Sequence, residues 1–370
     1  MAELTYCSNI HPGEHWLDVM HNLDSHALEV KQRLNSNAPF PLGLRIAQQA
    51  ALEADDNAIA EFRAWCEQHN CYLLTINGFP YGTFHNSRVK EQVYLPDWRT
   101  RERVDYSKRL GDLAVKLEPS TKRISISTVP IAFKPAFNSA IDEEWDVVCT
   151  NIREVAEHYY QLQQQTGILL VLALEPEPMC VLETTDEAIS FFKRLGLPER
   201  LHKHVGLCFD CCHQAVEFED AQDCLQRLTD ANIPIGKVQV SSALKASGSE
   251  MYNLLNFDEP VYLHQAVAQC QHTNSLYRFT DLSDFKTALQ QGQYFDECRV
   301  HFHVPIFLEH LGECGTTQDF LRDLLPRLNQ DIPLEVETYS FAAIPKHLRT
   351  DRVSESIARE LSWVKALLNN

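Results

Sequence analysis

Side chains that bind divalent metal ions follow several apolar runs of this sequence. The run at 170–174 leads to Glu175 and Glu177, and the run at 205–209 leads to Asp210 and His213. The runs at 237–240 and 300–304 contain Gln239 and the pair His301 and His303, respectively. The run at 334–337 contains Glu335 and Glu337. Oxygen and imidazole ligands together suit Mn²⁺, Zn²⁺, Co²⁺, Fe²⁺ or Mg²⁺. Such an ion polarises a carbonyl or hydroxyl group, or lowers the pKa of water toward neutrality. The pattern predicts a divalent-metal site.

Each of these residues also has an ordinary structural explanation. Glu175 would interact favourably with the dipole of a following helix, and Asp210 would cap the next helix. A single histidine is more often hydrogen-bonded inside a protein than bound to metal, and Glu335 is compatible with a buried ion pair. The metal interpretation depends on recurrence. Five successive strand ends or nearby loops carry ligand-type groups, and unrelated structural causes would not place all of them there.

The elements that position these residues alternate between short apolar runs and amphipathic segments. Candidate strands lie at 4–8, 42–46, 72–76, 124–128, 168–174, 205–209, 237–240, 300–304 and 334–337. Several are apolar throughout, as expected for strands buried on both faces. Residues 152, 155, 156 and 159, and the series from 353 to 368, repeat at helical spacing. Alternating strands and helices predict a parallel sheet with helical crossovers.

The number of strands favours a TIM (β/α)₈ barrel, in which the carboxyl ends of all strands meet at one mouth. Nine candidates for eight places leave one extra strand, and 42–46 and 300–304 are the suspects. We expect a single domain over residues 1–370, with an elaborated loop and helix insertion near residues 241–297, a long polar stretch rich in His, Gln and Asn. The sequence has no glycine-rich nucleotide-binding motif after its first strand.

Composition excludes several classes of partner. The net charge of −18 repels nucleic acid and anionic membrane surfaces. We find no signal peptide, and the longest apolar run, at 168–174, is too short to be a transmembrane segment. Twelve scattered cysteines fit reduced thiols better than a disulfide framework. These features predict a cytoplasmic location.

The residues at the strand ends resemble those of the xylose isomerase-like barrel superfamily, which includes sugar epimerases and metal-dependent abasic-site endonucleases. Xylose isomerases carry Glu-Pro-Lys-Pro where this chain has Glu175-Pro-Glu-Pro178. The endonucleases have Asp-Thr-Cys-His where this chain has Asp210-Cys-Cys-His213. The spacing of His301 and His303 and the final acid Glu337 also match. The resemblance implies a barrel with a metal at its mouth.

Three stretches, at 4–14, 77–85 and 335–339, more narrowly resemble the EboE family of metabolite traffic proteins. The likeness extends over nearly the whole chain. It implies a protein that supports the processing or export of a small secondary metabolite, together with other proteins encoded in ebo clusters. It does not imply a particular reaction.

The superfamily resemblance also implies roles for individual residues. Glu175, Asp210, Gln239 and Glu337 would bind one ion, and His213, His301 and His303 a second, with Asp210 bridging. Glu175 and Glu337 would move protons, and we expect His11, His85 and Glu177 to contact substrate. Two departures are notable: Glu177 replaces the catalytic lysine of xylose isomerases, and Gln239 replaces a usual histidine or aspartate. Three interpretations remain: an isomerase, epimerase or related lyase, a metal-dependent hydrolase, or a carrier without catalysis.

Overall fold

Eight parallel strands form a barrel in the computed structural model, which describes residues 2–35, 37–85, 89–118, 121–349 and 352–369. The strands are β1 (Leu4–Tyr6), β2 (Phe40–Arg45), β3 (Cys71–Asn77), β4 (Arg123–Thr128), β5 (Leu169–Leu174), β6 (Val205–Asp210), β7 (Ile235–Val240) and β14 (Leu334–Val336). Their order is β1-β14-β7-β6-β5-β4-β3-β2, and a parallel bridge between Cys7 and Gly43 joins β1 to β2. The predicted TIM barrel is confirmed.

The bridge between β1 and β2 requires glycine at position 43. A Cβ atom on Gly43 would lie 2.6 Å from the carbonyl oxygen of Tyr6 and 3.0 Å from Cδ of Glu335. Any larger side chain would separate the two strands or displace Glu335 inside the barrel. This close approach explains why a strand that is otherwise apolar contains glycine.

A second sheet lies between β7 and β14 in the sequence. Its six antiparallel strands are β8 (Leu244–Ser247), β9 (Ala266–Cys270), β10 (Ser275–Phe279), β11 (Glu297–Val300), β12 (His310–Leu311) and β13 (Cys314–Thr316), in the order β10-β9-β11-β8-β13-β12. The predicted insertion is therefore present and contains the helical segments Gly248–Phe257 and Leu282–Gln290, but it also contains an antiparallel sheet that the sequence did not predict. It also extends past residue 297.

The two suspected extra strands have different outcomes. The run at 42–46 belongs to β2, a barrel strand, so the suspicion about it was wrong. The run at 300–304 is not a barrel strand: β11 ends at Val300 in the second sheet, and residues 301–304 are irregular. The other eight candidates overlap the eight barrel strands.

Helices cover the outside of the barrel. They are α1 (Trp16–Asn22), α2 (Leu28–Arg33), α3 (Gln48–Glu53), α4 (Asp56–His69), α5 (Arg101–Leu117), α6 (Asp142–Thr166), α7 (Thr185–Leu195), α8 (Cys211–Val216), α9 (Ala221–Asp230), α10 (Leu282–Gln290), α11 (Gln318–Leu324) and α12 (Val353–Leu368). Both predicted helical repeats lie in helices, α6 and α12. Buried apolar side chains of strands and helices form one main core.

Candidate metal centre

Four neighbouring barrel strands place ligand-type side chains at one mouth. Glu175 follows β5, Asp210 ends β6, Gln239 lies in β7, and Glu337 follows β14. One carboxylate oxygen from each of Glu175, Asp210 and Glu337 lies within 4.8 Å of the other two. All three side chains are buried. Three carboxylates this close in a buried site repel one another unless protons or a cation neutralise them.

Several atoms in this group have no hydrogen-bond partner. They are Glu175 Oε2, Asp210 Oδ2, Gln239 Oε1 and His303 Nε2. Buried polar atoms are rarely left without partners, because each costs free energy of desolvation. Because three are oxygen acceptors and the fourth is an imidazole nitrogen, this donor set fits a divalent cation, and binding of an ion by these residues remains a prediction.

The other carboxylate oxygens are held in place by the protein. Glu337 Oε1 accepts hydrogen bonds from Asn9 Nδ2 at 2.7 Å, Gln239 Nε2 at 3.3 Å and Asn77 Nδ2 at 3.4 Å. Asp210 Oδ1 accepts from the backbone N–H of His213 at 2.9 Å and from Ser241 Oγ at 2.8 Å. Asp210 therefore caps α8 with one oxygen and leaves the other free. The structural explanation of this residue is confirmed, and its role as a metal ligand remains a prediction.

Three histidines lie beside the carboxylates, and their hydrogen bonds define which ring nitrogen is free. Nδ1 of His213 lies 2.8 Å from the carbonyl of Pro176, and Nδ1 of His303 lies 2.9 Å from that of Glu337. Nδ1 of His301 lies 2.8 Å from Oε1 of Gln265. Since each partner only accepts, each Nδ1 is the donor, and Nε2 carries the lone pair in the neutral ring.

The free nitrogens of His213 and His301 face each other at 3.0 Å. Two lone pairs at this distance need a proton or a cation between them. Burial acts to lower the pKa of His213, but Asp210, Glu177 and Glu175 raise it above the usual value. Burial and His213 lower the pKa of His301 well below its usual value. The pair is thus arranged to hold positive charge.

The carboxylates divide into two electrostatic types. Burial and the neighbouring Asp210 raise the pKa of Glu175 to about 8, although Lys237 acts in the opposite direction. Burial and Glu175 raise the pKa of Glu337 well above its usual value. Burial also acts on Asp210, but His213 and His303 outweigh it and lower the pKa. Without a metal ion, these shifts favour the protonated forms of Glu175 and Glu337 and the ionised form of Asp210.

The mouth opens into a cleft of about 520 Å³. Glu175, Glu177, His213, His301 and Glu337 line its floor. Its outer wall is largely apolar and aromatic, and is formed by Phe79, Pro80, Phe84, Val89, Val93, Tyr94, Tyr262, Leu263 and Tyr339. Two polar groups of this wall already have partners, because Tyr94 donates to Glu177 at 2.7 Å and Tyr262 contacts Nδ1 of His85 at 2.6 Å.

The three residues predicted to contact substrate occupy different places. Glu177 lines the cleft and also accepts a hydrogen bond from Gln265 Nε2 at 3.3 Å. His85 bridges Tyr262 to the carbonyl of Asn9, with Nε2 2.6 Å from that oxygen, and so supports the wall of the cleft. His11 lines a second, smaller cavity with Tyr6 and Arg45. Direct contact with substrate remains a prediction for all three.

Sequence reasoning missed several polar residues of the site. Asn9 and Asn77 hold Glu337, Gln265 orients His301, and Tyr94 and Tyr339 line the cleft. Asn77 ends β3 in the same way that Asp210 ends β6, so the rule of polar residues at strand ends would have found it. Gln265 carried no such signal, because it lies in the polar insertion.

Solved structures with the same fold include metal-bound proteins and a sugar epimerase. A xylose isomerase-like TIM barrel protein from Mycobacterium smegmatis in complex with magnesium is 12% identical, with a TM-score of 0.55 over 100% of this chain and 97% of that one. The IOLI protein with a bound zinc atom is 12% identical, with a TM-score of 0.50 over 99% and 98%. The D-allulose 3-epimerase from Methylomonas sp. gives the same values. At these identities the likeness shows the fold alone.

Two comparisons of the sequence bear on the identity of the chain. No curated protein sequence matches this chain. Within the described residues, no helix has the length and apolar character needed to cross a membrane. The sequence of residues 42–269 does match a family described as xylose isomerase-like TIM barrel. Because that match spans more than half of the chain, the protein belongs to the xylose isomerase-like TIM barrel family.

Proposed function

We propose that the chain is a metal-dependent isomerase or epimerase of a small carbohydrate-like or carbonyl-bearing molecule. The observation that carries the proposal is the convergence of Glu175, Asp210 and Glu337, two of them with free oxygen atoms, beside a cleft that Glu175 and Glu337 line. The fold neighbours support it, since one of them is a sugar epimerase.

The metal would be held by Glu175, Asp210, Glu337 and the free oxygen of Gln239, and it would polarise a carbonyl or hydroxyl group of the substrate. A second ion would be held by His213, His301 and His303. The identity of the metal, among Mn²⁺, Zn²⁺, Co²⁺, Fe²⁺ and Mg²⁺, is left open by these donors.

Glu175 and Glu337 supply the acid–base chemistry. One carboxylate removes the proton from the carbon next to the substrate carbonyl, and the electron pair moves toward the carbonyl oxygen. The other returns a proton to the opposite face of the same carbon, so that one proton is removed, one is added, and configuration is inverted. The pKa of Glu175, raised to about 8, suits this exchange, because a general acid or base works best with a pKa near the operating pH.

Deuterium uptake tests the proposal. In D₂O with Mn²⁺ or Co²⁺, we expect mass spectrometry to show deuterium entering ketohexoses such as D-fructose and D-tagatose at the carbon next to the carbonyl. Glu337→Gln should slow uptake about 10²–10⁴-fold, the usual range for a general acid or base. The matched control is Glu309→Gln, whose carboxylate is 70% exposed. Uptake in Glu337→Gln equal to the parent would refute the assigned role.

The alternatives give different results in the same assay. A hydrolase would release a leaving group from glycosides or esters without deuterium entering the carbon framework. A carrier would bind metal and small molecules but show neither exchange nor release. Replacement of a usual histidine or aspartate by Gln239 weakens one ligand position and is the feature that favours a carrier.

We also propose an EboE-like cellular role, in the processing of a secondary-metabolite precursor before export, with proteins of the same gene cluster as partners. The three matching stretches at 4–14, 77–85 and 335–339 support this role. Twelve free cysteines support a reducing, cytoplasmic environment. Loss of metabolite export after deletion of the gene, restored by the parent but not by Glu337→Gln, would link this role to catalysis.

A further inference from the structure

Cys212 is a fourth ligand-type group beside the three histidines. A ligand atom of Cys212 lies within 4.8 Å of ring nitrogens of both His301 and His303, and those two nitrogens are equally close to each other. Cys212 is in the first turn of α8, directly before His213, and is fully buried. Its backbone N–H donates to Ser241 Oγ at 2.9 Å, a bond that fixes the start of α8 beside the histidines.

Packing alone would be the ordinary explanation of this cysteine. Cys212 does contact an apolar cluster that includes Val216, Ala243 and Val267. The cluster does not account for the nitrogen atoms on the other side of the thiol. His303 Nε2 is fully buried and has no partner, and the free nitrogens of His213 and His301 face each other at 3.0 Å. The buried, unpartnered His303 Nε2 fits a cation ligand independently of the cysteine.

We propose that Cys212 supplies a thiolate to a second metal position, shared with His301 and His303, that takes a thiophilic divalent ion such as Zn²⁺ or Co²⁺. This inference rests on the metal-dependent function proposed above. Binding would release the thiol proton to solvent and form a sulfur–metal bond, with no change of oxidation state. Cysteine sulfur and histidine nitrogen are both ordinary ligands of zinc, and catalytic zinc sites have three protein ligands.

The proposal separates the two metal positions chemically. The first has only carboxylate and amide oxygens, the ligands of Mg²⁺ and Mn²⁺. The second has imidazole and thiolate, which select softer ions. Asp210 lies within 4.8 Å of His303 as well as of the two glutamates, and so would couple the two ions.

Cobalt spectroscopy provides a test that does not depend on activity. The chain, stripped of metal with a chelator, would be titrated with Co²⁺ and followed by absorption. We expect a thiolate-to-cobalt charge-transfer band in the near ultraviolet for the parent. The band should be lost in Cys212→Ser and retained in Cys211→Ser, the neighbouring cysteine in the same helical turn, which is equally buried but packs in the main core. Elemental analysis would count the bound cobalt in each protein.

The outcomes distinguish this inference from the proposed function. Cobalt bound without a charge-transfer band, or a band that survives in Cys212→Ser, would overturn the thiolate ligand while leaving the carboxylate site intact. No cobalt bound at all would refute both. If Cys212→Ser fails to fold, Cys212→Asp provides an anionic ligand without sulfur, and it should bind cobalt but lack the band.

Discussion

Inside the barrel, one buried glutamate is paired with a lysine, whereas the two glutamates at the mouth have no lysine partner. Lys237 and Glu335 form an ion pair of 2.9 Å with no exposure of either side chain, and Thr75 also donates to Glu335. At the mouth, Glu175 and Glu337 face each other without such a partner. Lys237 acts on Glu175 at longer range and lowers its pKa, against the effect of burial. The buried lysine thus neutralises a glutamate that solvent cannot reach, which a surface pair does not need to do.

Removing one member of this pair should be severely destabilising. We expect Lys237→Met to lower the free energy of unfolding by about 3–5 kcal/mol, because Glu335 would remain buried and ionised without a partner. Urea denaturation would measure this change. Lys245→Met is the control, since Lys245 pairs with Asp319, which is 71% exposed, and should cost less than about 1 kcal/mol. Adding Glu335→Gln to Lys237→Met should recover much of the loss; no recovery would contradict the argument.

The ligands of the site were predictable at the residue scale, but their supports were not. Asp210, Glu175 and Glu337 can be recognised in the sequence because a charged residue at the end of a buried apolar strand is unusual. Asn9 holds Glu337 from 328 positions away in sequence, a contact that only the closed barrel creates. Lys237 could have been noticed as a charge within a buried strand, but nothing in the sequence identifies Glu335 as its partner.

Elements buried on both faces were the easiest to predict, and the insertion was the hardest. β5 is Leu-Leu-Val-Leu-Ala-Leu and nearly all buried, so its type is evident from composition. β10 is Ser-Leu-Tyr-Arg-Phe with no buried residue, and its polar side chains resemble a loop. Antiparallel sheets with one solvated face give weaker sequence signals than parallel sheets do. β2, which was suspected of being an extra strand, contains Gly43 because close packing against β1 requires that glycine.

The C-terminal helix α12 carries a buried acid that should make its docking depend on pH. Glu360 accepts hydrogen bonds from Thr338 Oγ1 at 2.6 Å and from the backbone N–H of Ile306 at 3.3 Å. Burial, only partly offset by these bonds, raises its pKa to about 7. A raised pKa in the folded state stabilises the fold at low pH. That contribution is complete below the unfolded-state pKa and is lost as the pH rises through about 7.

Glu360→Gln should remove this pH dependence. Between about pH 4.5 and 7 we expect the stability of the parent to fall, relative to that of the variant, by up to about 3 kcal/mol. Glu355→Gln, on the same helix and only partly buried, should keep the slope of the parent. Denaturant unfolding at a series of pH values would measure both. Parallel curves for parent and Glu360→Gln would show that Glu360 has the same pKa in the folded and unfolded states.

The whole molecule joins two sheets at one site. The barrel supplies the carboxylates, while the insertion supplies His301, His303 and the glutamine that orients His301. Arg278, on the edge strand β10, fastens the insertion to the barrel side: its Nη2 lies 2.6 Å from Glu217 Oε2, and its Nε lies 3.5 Å from Glu183. Burial and Glu183 raise the pKa of Glu217 to about 7 even with this arginine present.

Arg278→Met should therefore loosen the insertion more than the barrel. Without the guanidinium, Glu217 and Glu183 would lack this partner, and the edge of the second sheet would lose its attachment. We expect faster amide hydrogen exchange in β9 and β10 and no change in α12, measured by mass spectrometry. Because β11, which leads to His301, pairs with β9, the histidine position should bind cobalt more weakly than the carboxylate position. Arg322→Met, which removes an exposed pair with Glu309, is the control. An equal rise of exchange in α12, or equal weakening of both metal positions, would contradict this prediction. It would show that the insertion and the barrel form one cooperative unit.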